Sequence, residues 1–368
     1  MTSRGPSVRA LGGPLAAAVA LVAISVLRFV FPDAQGIMLF AVVPITLLGI
    51  MRGVRAGLVA AVVASAVSVT WALTSGHDHA LRYVGEVLTF FILGWLSGYF
   101  ARGALGDFDY ERARTCSHLR DAIRRGRVVF HYQPIVRPDG ELVAVEALAR
   151  WQDPDKGQIQ PLDFIPAAES DDRTIWELTL HALRQAIRDT RGFDNELVVA
   201  VNLSPVSLRH SGLADAIREI LSDGGLPATR LAVEVTESAV SVDDEPSVIE
   251  ALGEVRGVGV KMVAIDDFGI GHSSLARLGR LPIDTVKIDR ALIADSSHPE
   301  TAAVIRGMIE LAHSVQLTVI AEGVEDARTW DWLAEANCDA IQGFQLSRPM
   351  PVDDLPEWLA AHAAVAPA

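Results

Sequence analysis

Polar residues recur at one position in the second half of this sequence, at or near the carboxyl ends of short apolar segments. A single such residue would be an ordinary turn former or a solvated charge, but solvation does not explain six of them. The six are Glu146, Asn202, Glu234, Asp266, Lys287 and Glu322. They offer carboxylates and one amide, and such hard oxygen donors suit Mg²⁺ or Mn²⁺ better than zinc. The pattern predicts a divalent-cation site.

The adjacent carboxylates Asp266 and Asp267 add a second feature. Neighbouring side chains of a regular strand face opposite ways, so both reach one site only where the strand breaks into a loop. Gly269 and Gly271 indicate that break. Two carboxylates placed there could bind two metal ions that share one ligand. Two-metal sites suit in-line displacement at phosphorus, because the attacking and leaving oxygens both need charge neutralisation.

Lys287 places a cation among these acids. Its ammonium group could stabilise charge developing on phosphate oxygens or help to orient an attacking water. The alternative is a structural ion pair with a barrel carboxylate. We favour the catalytic interpretation, because a lysine surrounded by acids at the end of a central strand is costly without a function.

Eight strand-like segments must position these residues, and helical patterns separate them. The strands are short and rich in Val and Ile, often without strict alternation, which is typical of strands buried on both faces. The predicted strands are Val128–Val136, Leu142–Trp151, Leu197–Leu203, Arg230–Thr236, Val260–Ile265, Thr285–Ile288, Thr318–Ala321 and Ala340–Phe344, with helices at Trp176–Thr190, Val248–Arg256, Thr301–His313 and Ala327–Ala336. Eight strands with intervening helices over about 250 residues predict an α/β fold, a TIM-like (β/α)8 barrel whose strand ends meet at one mouth.

The hydrophobic excess of the chain, which has 368 residues and is 50% hydrophobic, lies almost entirely before residue 101. Four apolar stretches at about 11–31, 35–51, 56–74 and 83–100 approach the roughly 20 residues that cross a bilayer. We therefore expect an all-α transmembrane domain of four helices at 1–104, a linker helix at 105–116 and a barrel domain at 117–368. Arginines before the first stretch, between the second and third, and after the fourth place both termini in the cytoplasm. The expected location is a bacterial inner membrane, as a multi-pass protein in a lipid bilayer.

Two features of this half allow a functional and a plain interpretation. Glu86 lies inside the fourth stretch, where it is either a functional carboxylate or, as we favour, a headgroup-level partner of Arg82. The loop of His77, Asp78 and His79 is read as solvated, in preference to a metal sensor.

Net charge and cysteine spacing argue against a protein that binds a nucleic-acid duplex and against a zinc-binding protein. The formal net charge is −14, with acids mainly after residue 105, so a DNA or RNA duplex is not an expected partner. Cys116 and Cys338 stand in unrelated contexts without zinc-site spacing, which fits a reducing compartment.

The segment from about 117 to 357 resembles the EAL domain family. Ten motifs follow in order at spacing similar to that family. They are Tyr132-Gln133-Pro134-Ile135, Glu146-Ala147-Leu148-Ala149-Arg150-Trp151, Phe164-Ile165-Pro166 with Ala168-Glu169, Val201-Asn202-Leu203-Ser204, Glu234-Val235-Thr236-Glu237-Ser238, Asp266-Asp267-Phe268-Gly269 with Ser273-Ser274-Leu275, Lys287-Ile288-Asp289-Arg290, Ala321-Glu322-Gly323-Val324-Glu325, Gln342-Gly343-Phe344 and Arg348-Pro349. A three-letter string would be weak evidence, whereas ten ordered motifs are specific.

The resemblance implies hydrolysis of cyclic di-GMP to linear pGpG by a barrel whose first strand runs antiparallel to its neighbours. It implies that one metal ion is held by Glu146, Asn202, Glu234 and Asp266. Asp266 and Asp267 would hold a second ion. Glu322 would support Lys287 and the metal-bound water.

Further roles rest on the same resemblance. Gln133, Leu148 and Arg150 would contact substrate, and the planar fork of Arg150 suits a phosphate or a guanine edge. Gln342 would position water or a metal ligand. Glu237 would anchor the 267–274 loop and couple it to a homodimer contact.

The sequence departs from the family pattern in that loop, where Ile270 replaces a threonine and His272 a tyrosine. The lost hydroxyl predicts a less ordered loop and slower turnover, with the metal ligands intact.

Two alternatives from other classes remain open. One is a receptor that binds cyclic di-GMP without cleaving it, and the other is a scaffold or signal relay that binds neither metal nor nucleotide. The complete ligand set and the lysine favour the enzyme.

Overall fold

The structure, a computed structural model, describes residues 20, 24, 41–52, 54–75, 80–193, 197–239, 245–269 and 279–363. The chain divides into two compact units, Met1–Glu111 and Arg112–Ala368. The division falls within one helix, Ala80–Arg124.

The N-terminal unit is helical throughout its described ranges. Its helices are α1 (Val42–Arg52), α2 (Val54–Ser75) and α3 (Ala80–Arg124), of which the last continues into the second unit. They bury a small core that consists of Ala41, Ile45, Ala60, Ala61, Ala64 and Phe90. A Cβ added at Gly94 would lie 2.6 Å from the carbonyl oxygen of Gly57, so glycine permits the close approach of α2 and α3.

Within the described residues of this unit, the predicted organisation needs correction. The stretch 83–100 and the linker 105–116 were expected as separate helices, but both lie within α3. Gly103 lies between the two segments and Gly106 lies within the predicted linker, and isolated glycines are tolerated in a helix. None of the helices in the described ranges has both the length and the apolarity to cross a membrane. Apart from residues 20 and 24, the first predicted span lies outside the described residues, as does the loop at 77–79.

In the part of the second unit that the structure describes, ten strands form one sheet. Five belong to its first half: β1 (Val128–Val136), β2 (Leu142–Asp153), β3 (Gly157–Ile159), β4 (Val199–Leu203) and β5 (Leu231–Thr236). The others are β6 (Met262–Phe268), β7 (Thr285–Ile288), β8 (Thr318–Ala321), β9 (Ala340–Ile341) and β10 (Met350–Pro351). The order β1-β9-β8-β7-β6-β5-β4-β2 closes on itself through β1–β2 pairing, while β3 and β10 add to the rim. The predicted eight-stranded barrel is therefore confirmed.

The first strand runs against its neighbours, as the family resemblance implied. β1 pairs antiparallel with β2 and with β9, whereas the pairs from β2 through β4 to β9 are parallel. Because β1 is reversed, residues in its first part lie at the same end of the barrel as the carboxyl ends of the parallel strands.

Helices cover the outside of the barrel. They are α4 (Pro161–Ala168), α5 (Asp172–Thr190), α6 (Pro205–Leu208), α7 (Leu213–Gly224), α8 (Glu245–Arg256), α9 (Arg290–Ala294), α10 (Pro299–Ser314), α11 (Ala327–Glu335) and α12 (Leu355–Ala363). The helix α5 buries Ile175, Leu178, Ala182 and Ala186 at helical spacing. These side chains pack on outward-facing strand residues in one continuous core that contains most of the buried apolar side chains of the unit.

The barrel interior contains a separate cluster of mostly small side chains. Its buried members are Ile135, Ala144, Val198, Ala200, Ala232, Met262, Ala264, Ile320 and Ala340. Side chains alternate across a strand, so the residue two positions further along also faces inward. This alternation puts a second layer of inward-facing side chains at the mouth of the barrel, where the candidate site lies.

Candidate active site

One polar side chain from each of the eight barrel strands, or from the residue directly after the strand, forms a layer inside the mouth. Each lies two positions from an inward-facing residue of the layer beneath, which consists of Ile135, Ala144, Ala200, Ala232, Ala264, Thr285, Ile320 and Ala340. We call the upper set the polar layer: Gln133, Glu146, Asn202, Glu234, Asp266, Lys287, Glu322 and Gln342. The structure therefore brings together all six residues that the strand-end pattern singled out.

Lys287 is the centre of the polar layer. Its side chain is fully buried, and Nζ lies 2.7 Å from Oε2 of Glu234. Nζ also contacts Oε1 of Glu322, and it lies 3.4 Å from Oε2 of Glu146 and 3.5 Å from Oδ1 of Asp266. Since these partners come from four strands, the ammonium group must lie near the barrel axis.

Amide side chains hold Glu146 on both of its oxygens. Asn202 Nδ2 donates to Glu146 Oε1 at 2.6 Å, and Gln342 Nε2 donates to Glu146 Oε2 at 2.7 Å. Gln342 Nε2 also donates to Gln133 Oε1 at 3.1 Å. These contacts fix the carboxylate plane of a buried residue.

Asp267 reaches the mouth by a local backbone distortion and not, as predicted, through a loop after residue 265. β6 continues to Phe268, and its pairing with β7 shifts register between Ile265 and Phe268. Asp267 has φ 56, in the left-handed region, and its N–H donates to Asp266 Oδ1 at 2.9 Å. A bulge of this kind re-aims a side chain, which lets adjacent carboxylates serve one site.

Glu237 supports the end of this strand. Its Oε2 accepts a hydrogen bond from the backbone N–H of Gly269 at 3.0 Å. Gly269 has φ 104, a backbone conformation that favours glycine, and a Cβ there would also displace the side chain of Leu292, whose methyl would lie 2.5 Å away. The departures Ile270 and His272 lie outside the described residues.

Burial and crowded charge shift the pKa values of the acids. Burial, with Asp266 and Glu146 adding to it, raises the pKa of Glu322 from 4.5 to about 8. Burial and the neighbouring Asp266 raise the pKa of Asp267 from 3.8 to about 6. Burial likewise raises the pKa of Glu234. Burial opposes ionisation of Glu146, but Lys287 and the two amides outweigh it and lower the pKa of that carboxyl.

The residues present fit two divalent cations. Carboxylate oxygens of Glu146, Glu234 and Asp266 lie within 4.8 Å of one another, as do those of Asp266, Asp267 and Glu322. Asp266 is common to both groups. Oε1 of Glu234 is buried without a hydrogen-bond partner among the described residues, and a cation would satisfy it. Five carboxylates against one ammonium group give a formal charge of −4, which two divalent ions neutralise.

A cavity of about 300 Å³ adjoins the acidic cluster. Its polar lining includes Asn202, Asp266 and Asp267, while its walls are mainly apolar and include Leu148 and residues of α4. Leu148, for which the resemblance implied a substrate contact, therefore lines the cavity beside the acids.

The other residues predicted to contact substrate are placed differently. Arg150 is half-buried, and its Nη1 donates to the carbonyl of Ala149 at 2.8 Å. Gln133 is buried and hydrogen-bonded within the protein. Sequence reasoning missed His131, which lies opposite Leu148 in the β1–β2 ladder. Burial and the nearby Arg150 lower the pKa of His131.

The fold and the site define a class of proteins, the TIM-like mixed barrels with an acidic cluster at the mouth. Comparison with known families then identifies the family. The profile described as "EAL domain" matches residues 117–349, well over half of the chain. The chain belongs to the EAL domain family, whose members depend on divalent metal ions.

Known relatives share this segment. MucR of Pseudomonas aeruginosa, described as a bifunctional diguanylate cyclase/cyclic di-GMP phosphodiesterase, is 37% identical over 251 residues, which is 67% of this chain and 36% of MucR. The cyclic di-GMP phosphodiesterase NbdA of the same organism is 39% identical over 250 residues, which is 66% of this chain and 32% of NbdA. The solved PaMucR phosphodiesterase in complex with c-di-GMP is 38% identical with a TM-score of 0.62, covering 66% of this chain and 99% of that one. This chain spans about a third of the length of these curated relatives.

Proposed function

We propose that this protein hydrolyses cyclic di-GMP to linear pGpG with two bound Mg²⁺ or Mn²⁺ ions. The observation that carries the proposal is the pair of acidic groups that share Asp266 beside a buried lysine. Phosphodiester displacement needs charge neutralisation on both the attacking and the leaving oxygen, and two adjacent cations provide it. The names of the relatives MucR and NbdA and the c-di-GMP complex of PaMucR support the choice of substrate.

The acids next to or within the polar layer would bind the metal ions, and Lys287 and Glu322 would act on the phosphate and the attacking water. Glu146, Asn202, Glu234 and Asp266 would hold one ion, with Asp266, Asp267 and Glu322 around the other. Bound ions would supply Lewis acidity and an activated water. Lys287 places a fixed positive charge where the phosphate gains negative charge, and it costs no reorganisation during the reaction. Glu322, in contact with Lys287, can take the proton of the attacking water as the water oxygen bonds to phosphorus. The P–O bond to the leaving oxygen breaks in the same displacement, and that oxygen takes a proton from solvent to become the free hydroxyl of pGpG.

The cavity beside the acids would take a guanine and its ribose. Its apolar walls, which include Leu148, offer a contact surface for a base. Arg150 would turn its guanidinium group to a phosphate or guanine edge, since only one of its nitrogens is engaged by Ala149.

Turnover by the full chain tests this proposal. Cyclic di-GMP is incubated with Mn²⁺ or Mg²⁺, and pGpG is measured by chromatography, with excess chelator as the control. We expect pGpG only with the metal ion. Full activity in chelator contradicts the metal site, and tight binding of cyclic di-GMP without hydrolysis identifies a receptor instead of an enzyme.

We further propose that the N-terminal unit attaches the chain to a lipid bilayer, with the barrel on the cytoplasmic side of a bacterial inner membrane. Large apolar side chains of α1, α2 and α3 are exposed, among them Leu47, Val62, Leu88 and Ile92. Trp95 and Tyr99 stack at 5.3 Å and are both exposed, as aromatic residues are at a membrane interface. The full chain should float with phosphatidylethanolamine/phosphatidylglycerol vesicles, and Ile92→Lys should weaken the association. Recovery in the unbound fraction without detergent contradicts it.

We also propose that the protein forms a homodimer through its barrel unit. Support comes from the family resemblance and from the contact of Glu237 with Gly269, which ties the end of β6 to the segment that the resemblance assigns to a dimer contact. Light scattering should give twice the chain mass. A monomer at micromolar concentration contradicts the proposal.

A further inference from the structure

Gln133 of β1 is the polar-layer residue whose surroundings differ most from expectation. The family resemblance implied a substrate contact, but the residue is only 7% exposed. Its Nε2 donates to the backbone carbonyl of Ser347 at 3.0 Å, and its Oε1 accepts from Gln342 Nε2 at 3.1 Å. Both heteroatoms of the side chain are thus used inside the protein. A ligand could take them only by breaking buried hydrogen bonds, which is costly.

These hydrogen bonds form a chain whose direction is fixed at both ends. A backbone carbonyl can only accept, so the amide nitrogen of Gln133 must face Ser347 and its oxygen must face Gln342. Gln342 then uses one hydrogen of Nε2 for Gln133 and the other for Glu146 Oε2. An ionised carboxylate also only accepts. Neither amide can be reversed without placing two acceptors or two donors in contact.

The result is a specific unpaired acceptor. Gln342 Oε1 is buried and has no hydrogen-bond partner among the described residues. An amide oxygen in that position needs a donor or a cation, because a buried acceptor without a partner is destabilising. Glu234 Oε1, the other unpaired acceptor of the polar layer, belongs to the first acidic group.

We propose that Gln133 is a positioning residue, which fixes the direction of the Gln342 amide so that its nitrogen holds Glu146 and its buried oxygen stays free for a water or a cation at the mouth. The inference rests on the proposed function and deepens it. Gln133 also ties this arrangement to the segment that carries Ser347. On that segment the Arg348 guanidinium lies 4.3 Å from the ring centroid of exposed Phe344. Movement of that segment would therefore shift Gln133 and, through Gln342, the carboxylate of Glu146.

A double-mutant cycle in the full chain tests the proposal. The variants are Gln133→Met, Gln342→Met and the double variant, and the matched control is Gln158→Met on the exposed strand β3. We expect each single variant to lower kcat by about 10–100-fold, as for groups that orient metal ligands, with KM nearly unchanged. The double variant should be no slower than the worse single variant, because both changes break one chain. The control should match the wild type.

Other results overturn the proposal. A raised KM with unchanged kcat for Gln133→Met identifies a substrate contact, and multiplying effects in the double variant show that the two amides act separately. If Gln133→Met does not fold, Gln133→Asn replaces it, since it keeps the amide but is too short to span both partners. A normal kcat for that variant also overturns the proposal.

Mn²⁺ affinity separates this inference from the proposed function. It is measured by titration without substrate on the same variants. Wild-type protein that binds Mn²⁺ but releases no pGpG contradicts the proposed function alone. The inference then stands if both single variants and the double variant lose affinity to a similar degree, and it falls if Gln133→Met binds Mn²⁺ as tightly as the control.

Discussion

The inside of the barrel contains two neighbouring layers made by the same eight strands, and they differ completely in chemistry. The lower layer is Ile135, Ala144, Ala200, Ala232, Ala264, Thr285, Ile320 and Ala340, and the polar layer lies two residues away on every strand. Five of the eight residues in the lower layer are alanine. Barrel interiors are usually filled by larger branched side chains.

This difference indicates that the small layer serves the polar one. Lys287 is among the largest fully buried side chains, and it contacts carboxylates from four strands. A central ammonium group needs space around the barrel axis, and alanines beneath it leave that space. The lower layer supplies room, and the polar layer supplies charge and direction.

Removing the central charge should have the largest effect. Lys287→Met leaves two buried and two partly buried carboxylates without their cation, and losing one partner of a buried ion pair costs about 3–5 kcal/mol. We expect a fall of that size in the unfolding free energy in chelator, measured by urea denaturation. Added Mn²⁺ should restore part of it. Unchanged stability in chelator would show that the acids are protonated and do not depend on Lys287.

A substitution at Glu146 tests whether the polar layer is needed for hydrolysis. Glu146→Gln keeps the shape of the side chain but removes the charge of a carboxylate that we propose binds a metal ion. Turnover should fall by more than about 100-fold, beyond the range for groups that only support a ligand. The rate of pGpG release at saturating Mn²⁺ is the measurement. The control is Asp153→Asn, which changes a partly exposed carboxylate at the end of the same strand. Equal rates for both variants would refute the assignment of Glu146.

Enlarging the lower layer should disturb the polar layer above it. Ala232→Leu adds volume directly beneath Glu234, and overpacking a core costs about 1–3 kcal/mol. We expect that loss of stability together with weaker Mn²⁺ binding, whereas Ala303→Leu on the exposed face of α10 should change neither. Loss of stability with normal Mn²⁺ affinity would show that the two layers are independent.

The smallest expected effect is a dependence of stability on pH. The pKa of Glu322 is raised from 4.5 to about 8 in the folded state, so folding favours its protonated form. Its contribution is fully present below pH 4.5 and is lost as pH rises through about 8. In chelator, the melting temperature of the wild type relative to Glu322→Gln should therefore fall between pH 5 and 8.5. With Mn²⁺ bound the ionised form is favoured, and the trend should reverse. A constant difference in chelator would contradict the raised pKa.

Much of this arrangement follows from the sequence because strand periodicity is local. Val128–Val136, Thr285–Ile288 and Thr318–Ala321 were predicted with the bounds that the structure gives. The strand-end pattern gave six of the eight polar-layer residues. Gln133 escaped it because β1 is reversed, so its contribution to the mouth comes from the middle of a strand. Only the family resemblance indicated that reversal.

Other features depend on contacts that no local pattern records. β3 and β10 have three and two residues, too few for periodicity to show. The bulge at Asp267 depends on pairing between β6 and β7, so the sequence predicted a strand that ends at Ile265. The direction of the Gln133 and Gln342 amides depends on a carbonyl more than 200 residues away from Gln133 in the chain.

The central claim is that the polar layer holds two divalent ions through the shared carboxylate of Asp266. Equilibrium dialysis of the full chain against Mn²⁺ tests it most directly, with the bound metal counted per chain. We predict two ions for the wild type, one for Asp267→Asn and fewer than one for Asp266→Asn at the same free Mn²⁺. One ion or none in the wild type, or two in Asp266→Asn, would contradict the account.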